Sequence, residues 1–384
     1  MSTFDYSVVM PCLNEELTIG ACITEALEGA KRVGLAVEVV IADNGSTDKS
    51  VEIATNLGAR VVEVPVRGYG AALNAGITAT STNFVVMGDC DLSYDFTEAP
   101  RLVSLLRDQN FDIVIGNRFT GGIADGAMPP LHKYLGNPVL SFIGRLFFKI
   151  PIKDFHCGLR AVRRDSYLRA APVTTGMEFA TEMIARFVNI GARFAETPVH
   201  LRKDGRNRKP HLKSFPDGWR HLKMMLLFSP QYFQLLPGVI LSGIGALGLI
   251  LYALTGEINL IFAQGSIQAS IFALVILTVG LQLITASFIT MAYAKSKQIP
   301  RFNPWERIER TVTSKTFGSI SVLFMTIGFL GLVLIGGYWF SANFPAVDPA
   351  IETRRTLPLV GLLVTGMQGV LCSIQVRQIL SKFW

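Results

Sequence analysis

The stretch Phe84-Val-Val-Met-Gly-Asp-Cys-Asp91 joins an apolar run to two aspartates spaced two residues apart. Four apolar residues with two valines at their centre, closed by a glycine, read as a buried strand. In an extended chain, residues i and i+2 project to the same side. Asp89 and Asp91 therefore leave the strand tip as a pair of like charges. Such a pair is costly unless something positive lies between its members. A divalent cation with hard oxygen ligands, itself bound to a diphosphate, answers that need. A lone Asp-x-Asp is a weak sign, because aspartates abound in turns; one directly behind an apolar strand is much stronger.

Strand-like runs recur at residues 6–10, 37–42, 60–64 and 112–115, with helical patterns at 16–33, 47–57, 71–80 and 98–109 between them. This alternation predicts an α/β domain with a mainly parallel sheet and ligands at the carboxyl ends of its strands. The first strand runs into Met10-Pro-Cys-Leu-Asn-Glu-Glu16 and the second into Ala42-Asp-Asn-Gly-Ser-Thr-Asp48. Carboxylates at neighbouring strand tips can accept hydrogen bonds from a base or from ribose hydroxyls. Taken singly, each serves equally well as a helix N-cap, the reading preferred for Asp48. No Gly-x-Gly-x-x-Gly opens the first helix, which argues against a dinucleotide-dependent dehydrogenase.

Half of the 384 residues are hydrophobic and only 17% are charged, values high and low for a soluble protein. The cause is local. Beyond residue 231, four stretches (232–254, 269–294, 317–344 and 356–376) carry no charged residue. Each reaches the roughly 20 residues that a helix needs to cross a hydrocarbon core. The connection at 255–268 holds Glu257 and no Lys or Arg, whereas 295–316 holds Lys295, Lys297, Arg301, Arg307, Arg310 and Lys315 against Glu306 and Glu309. The tail adds Arg377 and Lys382. The excess of basic residues puts the middle loop, the tail and the N-terminal domain on the cytoplasmic side of an integral inner-membrane protein. Arg354 and Arg355 fall on the outer side, offset by Asp348 and Glu352. The N-terminus lacks the shape of a signal peptide, in keeping with a cytoplasmic first domain.

Residues 214–229 place Phe215, Trp219, Leu222, Met225 and Leu226 at helical spacing, with Asp217, Arg220, His221 and Lys223 on the other side. This reads as an amphipathic helix lying in the membrane interface; the alternative is a last helix packed on the soluble core. The expected parts are thus 1–213 (catalytic), 214–230 (interfacial) and 231–384 (four membrane helices). A net charge of +7 calls for no nucleic acid. The basic residues gather at 202–220 and 295–315, beside apolar stretches, where they suit anionic headgroups or a phosphate. Five cysteines without a Cys-x-x-Cys pair read as free thiols in a reducing compartment.

Pro11 with Asn14-Glu15, the Asp43 loop, Gly68-Tyr-Gly-Ala-Ala-Leu-Asn-Ala-Gly76 and Asp89-Cys-Asp91 resemble the inverting family 2 glycosyltransferases. Gly116-Asn-Arg-Phe119, Asp154-Phe-His-Cys-Gly-Leu-Arg160 and Gly176-Met-Glu-Phe-Ala-Thr-Glu182 resemble their polyprenyl-phosphate branch, that of dolichol-phosphate mannose synthase and its bacterial relatives. The resemblance covers residues 5–230. It implies a GT-A nucleotide-sugar domain that moves one sugar from a UDP- or GDP-linked donor to polyprenyl phosphate, with Asp89 and Asp91 around Mg²⁺ or Mn²⁺. Pro11, Asn14, Glu15, Asp43 and Gly70 would lie on the donor. Arg118 matches the family arginine that grips the acceptor phosphate, and Lys133, Arg202, Arg206, Arg208, Lys209 and His211 complete the acceptor side.

The chain departs from the family at Tyr69, where many relatives have Lys, at Ser93, where a metal-binding Gln often lies, and at His211, near a common Lys. The third metal ligand stays open, with Asp95 or water as candidates. His156 and Cys157 adjoin without further ligands at metal spacing and read as structural. Glu178 and Glu182 read equally as acceptor-site lining or as a satisfied helix face. Two rival classes stand beside the transferase. A processive polysaccharide synthase would carry Gln-x-x-Arg-Trp, absent here. A lipid carrier or scaffold with a vestigial domain would not need the Asp89/Asp91 pair. The sugar, the base and the prenyl length are not legible, and a homo-oligomer is left open.

Overall fold

The alternation of apolar runs and polar turns resolves into a seven-stranded sheet in a computed structural model, which describes residues 3–206, 214–256, 259–260, 263–264, 266–296 and 305–381. The chain divides into two compact units, Met1–Met225 and Leu226–Trp384.

In the first unit β1 (Tyr6–Cys12), β2 (Val37–Asp43), β3 (Arg60–Glu63), β4 (Phe84–Met87) and β5 (Ile113–Asn117) fall on the expected runs. Two further strands, β6 (Arg160–Arg163) and β7 (Phe194–Pro198), complete the order β3-β2-β1-β4-β6-β5-β7. Only β6 runs antiparallel to its neighbours in this sheet. Val8, Val9 and Met10 of β1 are wholly buried, as befits a central strand covered on both faces.

The crossovers are α1 (Ile19–Arg32), α2 (Ser50–Asn56), α3 (Tyr69–Ala79) and α4 (Ala99–Asp108). α1 buries Ile19, Cys22, Ile23, Ala26 and Ala30, a stripe at three- and four-residue spacing. After β5 come α5 (Arg118–Gly121), α6 (Asn137–Phe148), α7 (Arg164–Ala170) and α8 (Phe179–Asn189).

The register decides what meets at the sheet edge. Cys12 pairs with Asp43, Val9 with Met87, and both Met87 and Ile115 with Arg160. The residues after β1, β2, β4 and β5, and those just before antiparallel β6, are thereby gathered at one edge. This is the carboxyl edge of the parallel strands, where an open α/β sheet binds its ligands.

α9 (Ser214–Phe228) buries His221 and Met225 and leaves Trp219 exposed. Beyond it are α10 (Leu236–Thr255), α11 (Ser266–Ser296), α12 (Trp305–Val312), α13 (Lys315–Ser341) and α14 (Pro349–Leu380). The apolar helical segments Gln231–Thr255, Ile267–Ser296, Lys315–Ser341 and Pro349–Leu380 have mean hydropathies of 2.1, 2.2, 2.3 and 1.8, and each is long enough to cross a membrane. They turn Leu236, Ile240, Leu247, Val275, Leu330 and Leu334 outward, a surface suited to hydrocarbon rather than water. Close approach replaces hydrophobic burial between them: a Cβ at Gly245 would stand 2.4 Å from Leu277 N.

Arg354 and Arg355, set against the positive-inside expectation, have local partners. Arg354 donates to the carbonyls of Ala253 (2.9 Å) and Leu254 (2.5 Å) in the last turn of α10, a cation at a helix C-terminus. Arg355 lies 3.5 Å from Glu352.

Candidate active site

The loops after β1 and β2 are stapled together by side chains. Asn14, at φ +59°, accepts from Thr47 N through Oδ1 (2.7 Å), and its own N–H donates to Ser46 Oγ (2.9 Å). Asp43 is buried and accepts from Gly45 N and Ser46 N, both at 3.1 Å to Oδ2. The expected donor residues Asn14 and Asp43 thus hold their own loops. Pro11 O accepts from Cys90 Sγ at 3.0 Å, tying the first loop to the aspartate pair. Gly70 N donates to Thr175 O (2.8 Å), and a Cβ there would stand 2.4 Å from Thr174 O. Only glycine lets α3 begin this close to the 174–175 segment.

Asp89 and Asp91 follow β4 as expected. Asp91 Oδ1 accepts from Ser93 N (3.0 Å) and Ser93 Oγ (2.5 Å), while Oδ2 lies 2.8 Å from Arg206 Nη2. Arg206 also reaches Glu15 at 3.1 Å. Burial, and next the charge of Asp91, raise the Asp89 pKa to about 6; Arg206 and a hydrogen bond from Tyr69 act the other way. Tyr69, the departure from the family lysine, thus stands near enough to Asp89 to affect its charge. Asp95, a candidate third ligand, accepts from Thr97 N (2.9 Å) and Thr97 Oγ1 (2.6 Å) and is spent as a cap. Among the described residues, no three His, Cys, Asp or Glu could hold a metal by themselves. Two carboxylates with excess negative charge suit a hard cation whose remaining ligands come from elsewhere.

Arg118 opens α5 and is clamped. Its Nε and Nη2 donate to Asp154 Oδ2 (2.7 Å) and Oδ1 (2.8 Å), and its backbone N to Oδ2 (3.1 Å). Among the described residues Nη1 has no partner. Arg202 lies farther along the edge, in a bidentate pair with Glu25 at 2.9 Å for both bonds. Lys133 sits in the turn His132–Gly136 with its ammonium 5.6 Å from the Tyr134 ring centroid. Arg208, Lys209 and His211 lie outside the described residues. Glu182 is a satisfied structural carboxylate: it accepts from Val173 N, Thr174 N and Thr174 Oγ1 and pairs with Arg186 at 2.5 Å.

Glycosyl transferase family 2 matches residues 7–169, and the family 2 C-terminal transmembrane region matches residues 288–379. The low-salt glycan biosynthesis hexosyltransferase Agl6 of Haloferax volcanii is 36% identical over 350 residues, covering 90% of this chain and 82% of its own length. The chain belongs to glycosyl transferase family 2. The dolichyl-phosphate hexose transferase of the same organism is 32% identical to this transferase over 199 residues, covering 52% of this chain and 83% of the relative. Among solved structures, Mycobacterium tuberculosis glucosyl-3-phosphoglycerate synthase is similar with 27% identity and a TM-score of 0.47, covering 59% of this chain and 81% of the other.

Three side chains near these loops make contacts that no sequence signal announces. Tyr69 stands out only as a departure from the family, Glu25 lies in the middle of a helix, and His156 reads as structural. Their partners are 20, 177 and 65 residues away for Tyr69 to Asp89, Glu25 to Arg202 and His156 to His221. The five cysteines are free thiols and all are buried.

Proposed function

We propose that this family 2 glycosyltransferase moves a single sugar from a UDP- or GDP-linked donor to a polyprenyl phosphate, inverting the anomeric carbon, at the cytoplasmic membrane face. The observation that carries the reading is the meeting of the Asp89/Asp91 pair with Arg118 at one sheet edge, on a chain whose second part is built of membrane-length helices. The name of the dolichyl-phosphate hexose transferase supports a lipid-phosphate acceptor for this branch. The basic 295–316 connection and tail support the cytoplasmic side.

A polyprenyl phosphate is anionic at neutral pH, so the acceptor needs no strong base to become a nucleophile. The enzyme's task is to bring two anions together and to stabilise a departing diphosphate. Asp89 and Asp91 would hold Mg²⁺ or Mn²⁺, which when bound supplies Lewis-acid stabilisation of the leaving group. Arg118, fixed along two nitrogens by Asp154, keeps Nη1 for the acceptor phosphate and loses little freedom on engaging it. Glu15 and Asp43 border the nucleoside, and Arg206 moves between the carboxylates and the phosphates as charge arrives. Lys133, Arg208, Lys209 and His211 add positive charge on the acceptor side, with Arg202 anchoring the segment through Glu25.

Thermal stabilisation by a panel of nucleotide sugars with Mn²⁺ tests the donor half, because a ligand that binds the folded state raises its stability by mass action. A selective rise with one UDP- or GDP-sugar is expected. No rise with any of them would contradict a working donor site.

A further inference from the structure

His156 is a buried polar group that the fold does not use. Both ring nitrogens are closed off and hydrogen-bonded to nothing in the described chain. Its loop is held by other groups. Asp154 takes Arg118, the carbonyls of Phe155 and Cys157 take Arg160, Phe155 N donates to Ser141 Oγ, and Gly158 N donates to the Tyr94 hydroxyl. A loop held by these bonds does not need an imidazole. An apolar ring would fill the same space without desolvating two nitrogens.

The neighbours of His156 are cationic or neutral. The His221 ring stands edge-on at 4.7 Å between centroids and 82° between planes, with its Nδ1 2.8 Å from Thr181 Oγ1. Burial first, then His221, Arg118, Arg160 and His132, hold the His156 pKa well below its ordinary value. The ring is therefore neutral, with one N–H to donate. Arg160 gives its three nitrogens to carbonyls, and Asp154 is already committed to Arg118. An anion's oxygen is the partner that this set lacks.

The geometry points to His156 as a phosphate-binding residue: its neutral N–H and the Nη1 of Arg118 together take the acceptor's phosphate monoester. The inference rests on the lipid-phosphate acceptor proposed above. His156 is half-buried as a residue while its two nitrogens are closed off, so binding requires a side-chain movement that brings one nitrogen to the phosphate. A neutral donor suits this place: it orients a phosphate oxygen without the strong ionic hold that would blunt its attack on the sugar.

The test uses the full-length enzyme in detergent with polyprenyl phosphate as acceptor. His156→Phe should raise the acceptor KM about tenfold or more, the effect of one hydrogen bond to a charged group. Affinity for the nucleotide sugar with Mn²⁺ should stay within about twofold, and Tm should not fall, since two unpaired nitrogens are removed. His156→Gln, which restores a donor, should bring KM most of the way back. A wild-type KM in His156→Phe would overturn the inference, as would a lowered Tm with equal damage in both variants. If His156→Phe fails to fold, His156→Leu takes its place beside the Gln variant: a raised acceptor KM in Leu with recovery in Gln supports the inference, and a wild-type KM in Leu overturns it. A higher acceptor KM in Arg118→Lys, with none in His156→Phe, removes His156 and leaves the acceptor reading standing. A wild-type enzyme that ignores polyprenyl phosphate removes both.

Discussion

Arg206 Nη2 lies 2.8 Å from Asp91 Oδ2, while the same guanidinium reaches Glu15 at 3.1 Å. Two carboxylates from separate strand tips thus share one side-chain cation, brought in from the segment after β7. A divalent ion bound at Asp91 must take over that charge balance. Arg206→Ala should therefore lower the metal-free Tm by a few degrees, as expected for about 1 kcal/mol from a partly buried pair. Its gain in Tm on adding Mn²⁺ with a nucleoside diphosphate should exceed that of the wild type. Equal gains in the two proteins would contradict competition between Arg206 and the metal.

Asp91→Asn should fold and insert normally and lose transfer by about a hundredfold or more, the scale of removing a metal's charge partner from a site of charge stabilisation. Asp91 sits beyond a strand tip, and an amide oxygen can still accept from Ser93. Near-normal turnover of this variant at saturating Mg²⁺ or Mn²⁺ would remove the metal assignment.

Asp89 gives a pH-dependent prediction. Its folded pKa of about 6 lies above the ordinary 3.8, so the fold favours its protonated form. The associated stability is fully present below about pH 4 and is lost as pH rises through about 6. In metal-free enzyme, Asp89→Asn should raise Tm at pH 7.5, and the gain should shrink toward zero at pH 4. Melting curves across that range check it; a variant less stable than wild type at pH 7.5 would contradict the assigned strain.

Orientation is tested by labelling single cysteines in sealed vesicles or cells. An impermeant reagent added outside should reach a cysteine placed at Gly265 and miss one placed at Arg307. The buried native thiols give little background. The reverse pattern would put the donor site on the wrong side of the membrane.

The parts of the fold legible in the sequence are those whose cause is local. β1 to β5 are apolar runs closed by turn residues, and the aspartate pair announces itself by standing directly behind one of them. β6 does not, because Arg160-Ala-Val-Arg163 is short and carries arginine at both ends, and Arg160 is wholly buried because the carbonyls of Phe155, Cys157 and Ala180 receive it. β7 is half-buried and ends in proline, so it lacks a clean alternation. In α9 the periodicity set His221 on the polar side, yet it is buried against Thr181, while Trp219 is exposed. The polar partner that makes His221 an inward residue lies 40 positions away. Charge counting set Arg354 against the positive-inside rule; its use as a cap on α10 accounts for it. Within the site, the residue types were legible and their pairings were not, since Arg206 meets Glu15 across 191 residues.

A lipid-phosphate acceptor leaves its mark on the product. Membranes containing the enzyme, incubated with labelled nucleotide sugar, with and without added polyprenyl phosphate, reveal it. The expected product appears only with the lipid, partitions into the organic phase as a single-sugar species, and releases its sugar under mild acid. An acid-stable, aqueous product formed without the lipid would contradict it.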